Sequence, residues 1–267
     1  MVTQSNLVAF IIGAGSHIGA AAAAQLHANG YKVALGNRSA GPEYLPEHDK
    51  VEDPYFHVKI DVSRRETIDC AFDDVVAQLG PINVVIYNGL SLKLAILYCG
   101  DLIWSVKIAA SLAVPPIQSD ILSLSVNDYY DSISVGLGVF AVAKKALTSG
   151  FRDSLHRTNP KTFIVTGNIL PFTQYTPATF FTLGSQKAVA ARFIATAART
   201  YGLTENIKFY FATLVSSEGT SPSPEEFEKS ASAHARVFME LIKSEKQEQW
   251  DHRFTIDSKT FPHLPSQ

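Results

Sequence analysis

The stretch Leu7–Gly19, LVAFIIGAGSHIG, constrains this chain more than any other. LVAFII is a short apolar run with no polar positions, and it ends in glycines. A strand with one wet face would alternate polar and apolar residues. An uninterrupted run suits a strand buried on both faces of a parallel sheet. Parallel strands need a crossover, and alanine-rich AAAAAQLHA follows directly as a helix, stopped at Asn29-Gly30.

The same alternation recurs along the chain. Strands are expected at YKVALG, YFHVKIDV, INVVIYNG, KTFIVTGN and IKFYFATLV. Helices are expected at ETIDCAFDDVVAQLG, NDYYDSISVGLGVFAVAKKALTSGF, TLGSQKAVAARFIATAARTYG and EEFEKSASAHARVFMELIKSE. The pattern predicts one α/β domain over 1–267, a Rossmann-type, doubly wound, mostly parallel sheet flanked by helices. SEGTSPSPEE reads as a flexible loop, and 255–267 as a loose C-terminal tail.

Composition removes several classes of function. With 23 basic and 25 acidic residues, net charge −2, the chain lacks the basic footprint of a nucleic-acid binder or a polybasic membrane anchor. Cys70 and Cys99 stand apart, as expected of buried or inert thiols in a reducing compartment, and the histidines show no ligand spacing, so no metal site is expected. The N-terminal segment has no basic n-region and reads as a first strand rather than a secretion signal. VKIAASLAVPPI is shorter than the roughly 18 residues that cross a bilayer. The expectation is a cytoplasmic protein without a membrane span, acting on a small molecule.

The glycine-rich turn carries the first chemical signal. Gly13, Gly15 and Gly19, with Ser16, His17 and Ile18 between them, sit between a strand and a helix. Glycines there let backbone approach a pyrophosphate, and the helix N-terminus offers amides and partial positive charge to it. The spacing puts the last glycine one residue later than in the commoner G-x-G-x-x-G. The second strand ends with Asn37 and Arg38 where an acid would select a ribose hydroxyl. An arginine fork suits a 2′-phosphate, so NADP(H) is the expected cofactor, the alternative being a solvated surface arginine. Asp61-Val62 and Asn88-Gly89 end the third and fourth strands, where ligands bind in such sheets.

Together these residues, with Lys187 on a long helix, resemble the short-chain dehydrogenase/reductase family over about Leu7 to Leu241, and most closely a divergent fungal-type branch carrying Tyr87-Asn88 and Thr166-Gly167-Asn168 turns. The resemblance implies a nicotinamide cofactor and dimers or tetramers built on the two long helices. It also implies an asparagine, serine, tyrosine and lysine at the active site. Here the asparagine position falls on Val135 or Gly136, the serine position on Gly167 or Asn168, and the tyrosine position on Leu183. Lys187 alone keeps the family residue, and His17 replaces a glycine of the cofactor turn.

Reduction of a ketone needs a proton and a partner for the developing alkoxide. Lys187, Asn168 and Tyr175 are the candidate groups. Each has a plainer reading: a ribose-binding lysine, a turn-forming asparagine, a loop tyrosine. The sequence therefore supports an NADP(H)-dependent reductase of a bulky apolar, specialised-metabolite-like substrate, or a redox-silent use of the fold as dehydratase, isomerase, cyclase or cofactor-binding pseudoenzyme. One stretch, at about 92–120, is too long and too apolar for an ordinary connection. It reads either as an apolar lid or as translated intron.

Overall fold

The computed structural model describes residues 7–39, 53–89, 120–152 and 158–262. The unusual stretch expected at about 92–120 lies outside them, apart from Asp120. Seven strands form one sheet: β1 (Val8–Ile12), β2 (Lys32–Asn37), β3 (Phe56–Lys59), β4 (Ile82–Tyr87), β5 (Thr162–Thr166), β6 (Lys208–Leu214) and β7 (Asp251–Phe254). Their order is β3-β2-β1-β4-β5-β6-β7, and every neighbouring pair is parallel. The chain leaves one side of β1 for the other between β3 and β4. The crevice beside that reversal, at the strands' carboxyl ends, is where this architecture receives ligands.

Period-two burial splits the core into two layers. Phe10, Ile12, Val85, Tyr87, Phe163, Val165 and Phe211 face α2 (Arg65–Leu79), α3 (Val126–Ala146) and α4 (Phe181–Ala197). Ile11, Ile86, Ile164, Tyr210 and Ala212 face α1 (Ile18–Ala28) and α6 (Ala231–Lys243). α1 is rich in alanine, which keeps helix propensity high, and it turns Ile18, Gly19, Ala22, Ala23 and Leu26 toward the sheet. At the start of β1 the register with β4 shifts, and the buried Asn83 fills the gap by accepting the Val8 amide (2.9 Å). The helical run Val126–Phe151 is long and apolar enough, by length and composition, to cross a membrane. Its Val139, Val142, Ala143 and Ala146 lie in the core against the sheet.

Three features differ from the sequence reading. β7 is an added strand at the sheet edge: β6 is its one neighbouring strand, and DHRF shows no apolar run. The last helix is two: α5 (Pro224–Glu228) opens with a reciprocal Ser223–Glu226 capping box and ends before Ser230, where α6 begins. Residues 255–262, expected to be loose, turn back on β7. Phe261 donates its amide to the Arg253 carbonyl (2.8 Å), and Thr260 bridges to Phe254.

Candidate functional site

The glycine turn is shaped by close approach. Gly13 has φ +82°, and a Cβ there would lie 2.7 Å from the Asn88 carbonyl oxygen and 2.9 Å from the Gly89 amide. A Cβ on Gly19 would lie 2.7 Å from the Ala14 Cα. The Gly13 amide donates to the Gly36 carbonyl (2.8 Å), and the Gly15 amide to the Gly13 carbonyl (2.9 Å). Asn88, expected at a ligand-binding strand end, braces the turn: its Nδ2 donates to the Gly13 carbonyl (2.9 Å) and its amide to the Ile12 carbonyl (2.8 Å). α1 has no side-chain cap and no acid in its first turn. The amides around Ser16, Ile18 and Gly19 thus face the crevice end with a helix dipole behind them, a cradle that fits a pyrophosphate.

At the ends of β2 and β3 the polar groups diverge. Arg38 is exposed and makes no ion pair among the described residues. The Asn37 Oδ1 is buried without a hydrogen-bond partner among the described residues. A buried acceptor left so is costly, and a ribose hydroxyl is a donor of the kind it lacks. The Asp61 carboxylate is engaged locally, accepting from the Ser63 amide (3.0 Å) and hydroxyl (2.6 Å). Val62 packs on α3, its carbonyl 2.6 Å from where a Cβ on Gly138 would stand.

The carboxyl end of β5 holds the second half of the site. Lys187 is 4% exposed, and its Nζ donates to the Thr166 carbonyl (2.6 Å). Burial draws its pKa down to about 8, because an ammonium out of water loses solvation. Leu183, one turn earlier on the same face, is buried as well. A Cβ on Gly167 would lie 2.4 Å from the Thr213 Oγ1 and 2.6 Å from the Phe211 ring, so no side chain fits there. Asn168 is therefore the residue able to carry a side chain at the serine position. Its Oδ1 accepts the Leu170 amide (3.2 Å), the turn-forming reading, and its Nδ2 has no partner among the described residues. Tyr175 is 76% exposed and makes no described hydrogen bond. Phe172 holds its loop down, edge-on to Phe211 (6.0 Å) and under the Arg253 guanidinium (4.8 Å).

Several neighbours make contacts that the sequence does not show. The Tyr87 hydroxyl donates to the Val135 carbonyl (2.8 Å), and burial, helped by the Asp61 charge, pushes its pKa far above the ordinary tyrosine range. It is thereby held as a neutral brace between β4 and α3. A Cβ on Gly136 would meet the Gln186 carbonyl oxygen at 2.9 Å, so α3 and α4 touch where the family asparagine would stand. The Gln186 Nε2 donates to Ser132 there (2.5 Å). The Thr166 and Thr213 hydroxyls are buried without partners among the described residues. His17 turns away from the cradle and meets α5: its Nε2 lies 2.9 Å from the Glu228 carbonyl oxygen.

A cavity of about 720 Å³ lies at the opposite end of the sheet, beside Lys161, Lys208, Arg152 and Glu205. Its charges serve the fold. Lys208 donates to the Leu241, Ile242 and Ser244 carbonyls that close α6, and Arg152 grips Glu205 with two bonds (2.8 and 2.7 Å). Among the described residues no group of acidic, histidine or cysteine side chains could hold a metal ion.

Comparison with known proteins agrees with this placement. The family model described as short chain dehydrogenase matches residues 7–93. A short chain dehydrogenase/reductase, dmxR12, of Cryptosporiopsis sp. (strain 8999) is 28% identical over 254 residues, 94% of this chain and 92% of that protein. Among solved structures, a 3-oxoacyl-[acyl-carrier protein] reductase from Brucella melitensis is similar in fold, with TM-score 0.67 and 15% identity over 90% of this chain and 91% of that one. An alcohol dehydrogenase from Thermococcus sibiricus, complexed with 5-hydroxy-NADP, gives 0.61 and 20% over 97% and 99%. A variant of the actinorhodin polyketide ketoreductase, with NADPH, gives 0.62 and 19% over 91% and 92%.

Proposed function

The chain belongs to the short-chain dehydrogenase/reductase family, and on that premise we propose that it is a cytoplasmic, NADP(H)-dependent carbonyl reductase that takes its proton from Lys187. The observation that carries this reading is the buried lysine of α4, its pKa about 8 and its ammonium on the last carbonyl of β5, at the same end of the sheet as the glycine turn after β1. Gly13, Gly15, Ser16, Ile18 and Gly19 would hold the pyrophosphate, Asn37 a ribose hydroxyl, and Arg38 the 2′-phosphate. Bound NADPH supplies the hydride. Lys187 gives its proton to the substrate's carbonyl oxygen as charge develops there, and the Asn168 Nδ2 donates a hydrogen bond to the same oxygen. Tyr175 is the remaining proton source on that loop. We assign it a bulky apolar substrate of specialised-metabolite type, in keeping with the apolar Leu183 where a tyrosine would stand.

Calorimetric titration with NADPH and NADH, followed by a ketone screen, tests the reading. Tight NADPH binding, weak NADH binding, and turnover abolished in Lys187→Met are expected. Turnover should fall as pH rises through about 8, where Lys187 loses its proton. Failure to bind either nucleotide ends the reading. The missing tyrosine supports a second reading, a redox-silent cleft acting as dehydratase, isomerase or cyclase. Nucleotide binding with a stoichiometric substrate change and no cofactor consumption would favour it.

A further inference from the structure

The short helix α5 has few anchors. It is five residues long, and its Glu225, Glu228 and Lys229 are exposed. Its internal bonds, the capping box and the exposed Lys229–Glu225 pair, hold the helix together without fixing where it lies. The segment before it, 216–223, is largely exposed as well. Its carboxyl end is tied to α6, where the buried Ser230 donates its amide (3.1 Å) and hydroxyl (2.7 Å) to the Phe227 carbonyl, and two further contacts set how it lies. Phe227 packs against the α1–α6 layer of the core, and His17 reaches across from the glycine turn. The His17 and Phe227 rings lie 5.4 Å apart, and the His17 Nε2 is 2.9 Å from the carbonyl oxygen of Glu228, the last residue of α5. A terminal helix carbonyl has no partner within its own helix, so an imidazole N–H there closes an open valence and meets the negative end of the helix. A glycine in place of His17 would leave the ring contact and the hydrogen bond unmade.

From this geometry we infer that His17 is a positioning residue that latches α5 onto the dinucleotide turn, so that the order of α5 and occupancy of the turn are linked. His17 stands at the N-cap of α1, between the amides that face the crevice, and its side chain is committed to α5. Whatever fixes the turn therefore also fixes the ring that holds α5. An occupied turn gives a more firmly held α5, and a loosened α5 weakens binding at the turn by the same factor. The linkage rests on the nucleotide reading above; the latch itself does not.

Amide hydrogen exchange on the full-length protein tests both parts, in wild type, His17→Ala and His17→Gln, with and without NADPH. Without nucleotide, amides of 226–230 should exchange about three- to tenfold faster in His17→Ala, the effect of losing one modest hydrogen bond and a ring contact. His17→Gln keeps an N–H donor and should restore most of the protection. Amides of β5 and α4 should not change, which separates the latch from a general loss of fold. With NADPH, α5 should gain protection in wild type and His17→Gln but not in His17→Ala. Equal exchange of 226–230 in free wild type and His17→Ala overturns the latch. Equal gains on adding NADPH in wild type and His17→Ala overturn the linkage. Absence of NADPH binding to wild type overturns the cofactor reading instead, and the nucleotide-free comparison still decides the latch.

Discussion

A lysine drawn down to about 8 titrates in the range where proton transfer at neutral pH is efficient, and Leu183 occupies the place from which a tyrosine would act. Leu183→Tyr should raise reductase turnover about tenfold or more, as a positioned general acid does, and flatten the fall above pH 8, read from initial rates between pH 6 and 10. The serine position makes a sharper pair. Asn168→Ser should fold and retain binding, since Asn168 already carries a side chain. Gly167→Ser should lower the melting temperature, because its Cβ would collide with Thr213 and Phe211. Both are read by thermal denaturation beside nucleotide titration. The burial of Lys187 also has a sign in stability. The native state holds that proton less tightly than the unfolded chain, so Lys187 adds stability as pH rises from about 8 toward 10.5.

Among the elements, β1, its glycine turn and α1 were legible because the glycines act on backbone within a few residues of themselves. β7 was not: Asp251, His252 and Arg253 look like loop, and only pairing with Phe211 to Leu214 makes them strand. The break between α5 and α6 was hidden because helical periodicity runs through both, although Ser223 and Glu226 spell the capping box that starts the first. The His17–Glu228 contact spans 211 positions and leaves no local trace. Lys208 shows how one strand residue can define a helix. It sits in β6, yet its ammonium closes three carbonyls at the end of α6, and burial draws its pKa to about 8. Lys208→Met should cost about 2 kcal/mol of unfolding free energy in urea titrations, with the last turn of α6 the first to lose exchange protection.

At the scale of the whole molecule, the parallel sheet and its two layers of helices followed from the strand–helix alternation. The outer surface of α3 did not, since its apolar pattern continues on the side away from the core. Val126, Tyr130, Leu137 and Phe140 are exposed there. We propose that this face, with α4 beside it, joins two copies of the chain. Leu137→Glu with Phe140→Glu should then convert a dimer or tetramer to monomer in sedimentation, without loss of helix content. The sheet itself ends in a device of another kind. An open parallel sheet leaves a row of unpaired backbone groups on its last strand, which any extended chain can join. Along β7 the residues that return through Thr260 and Phe261 occupy part of that row. Cutting the chain after Phe254 should leave the fold built but sticky. Fibrillar or amorphous aggregates, followed by light scattering, would form at concentrations where the intact chain stays dispersed, so this closing turn keeps the sheet from growing.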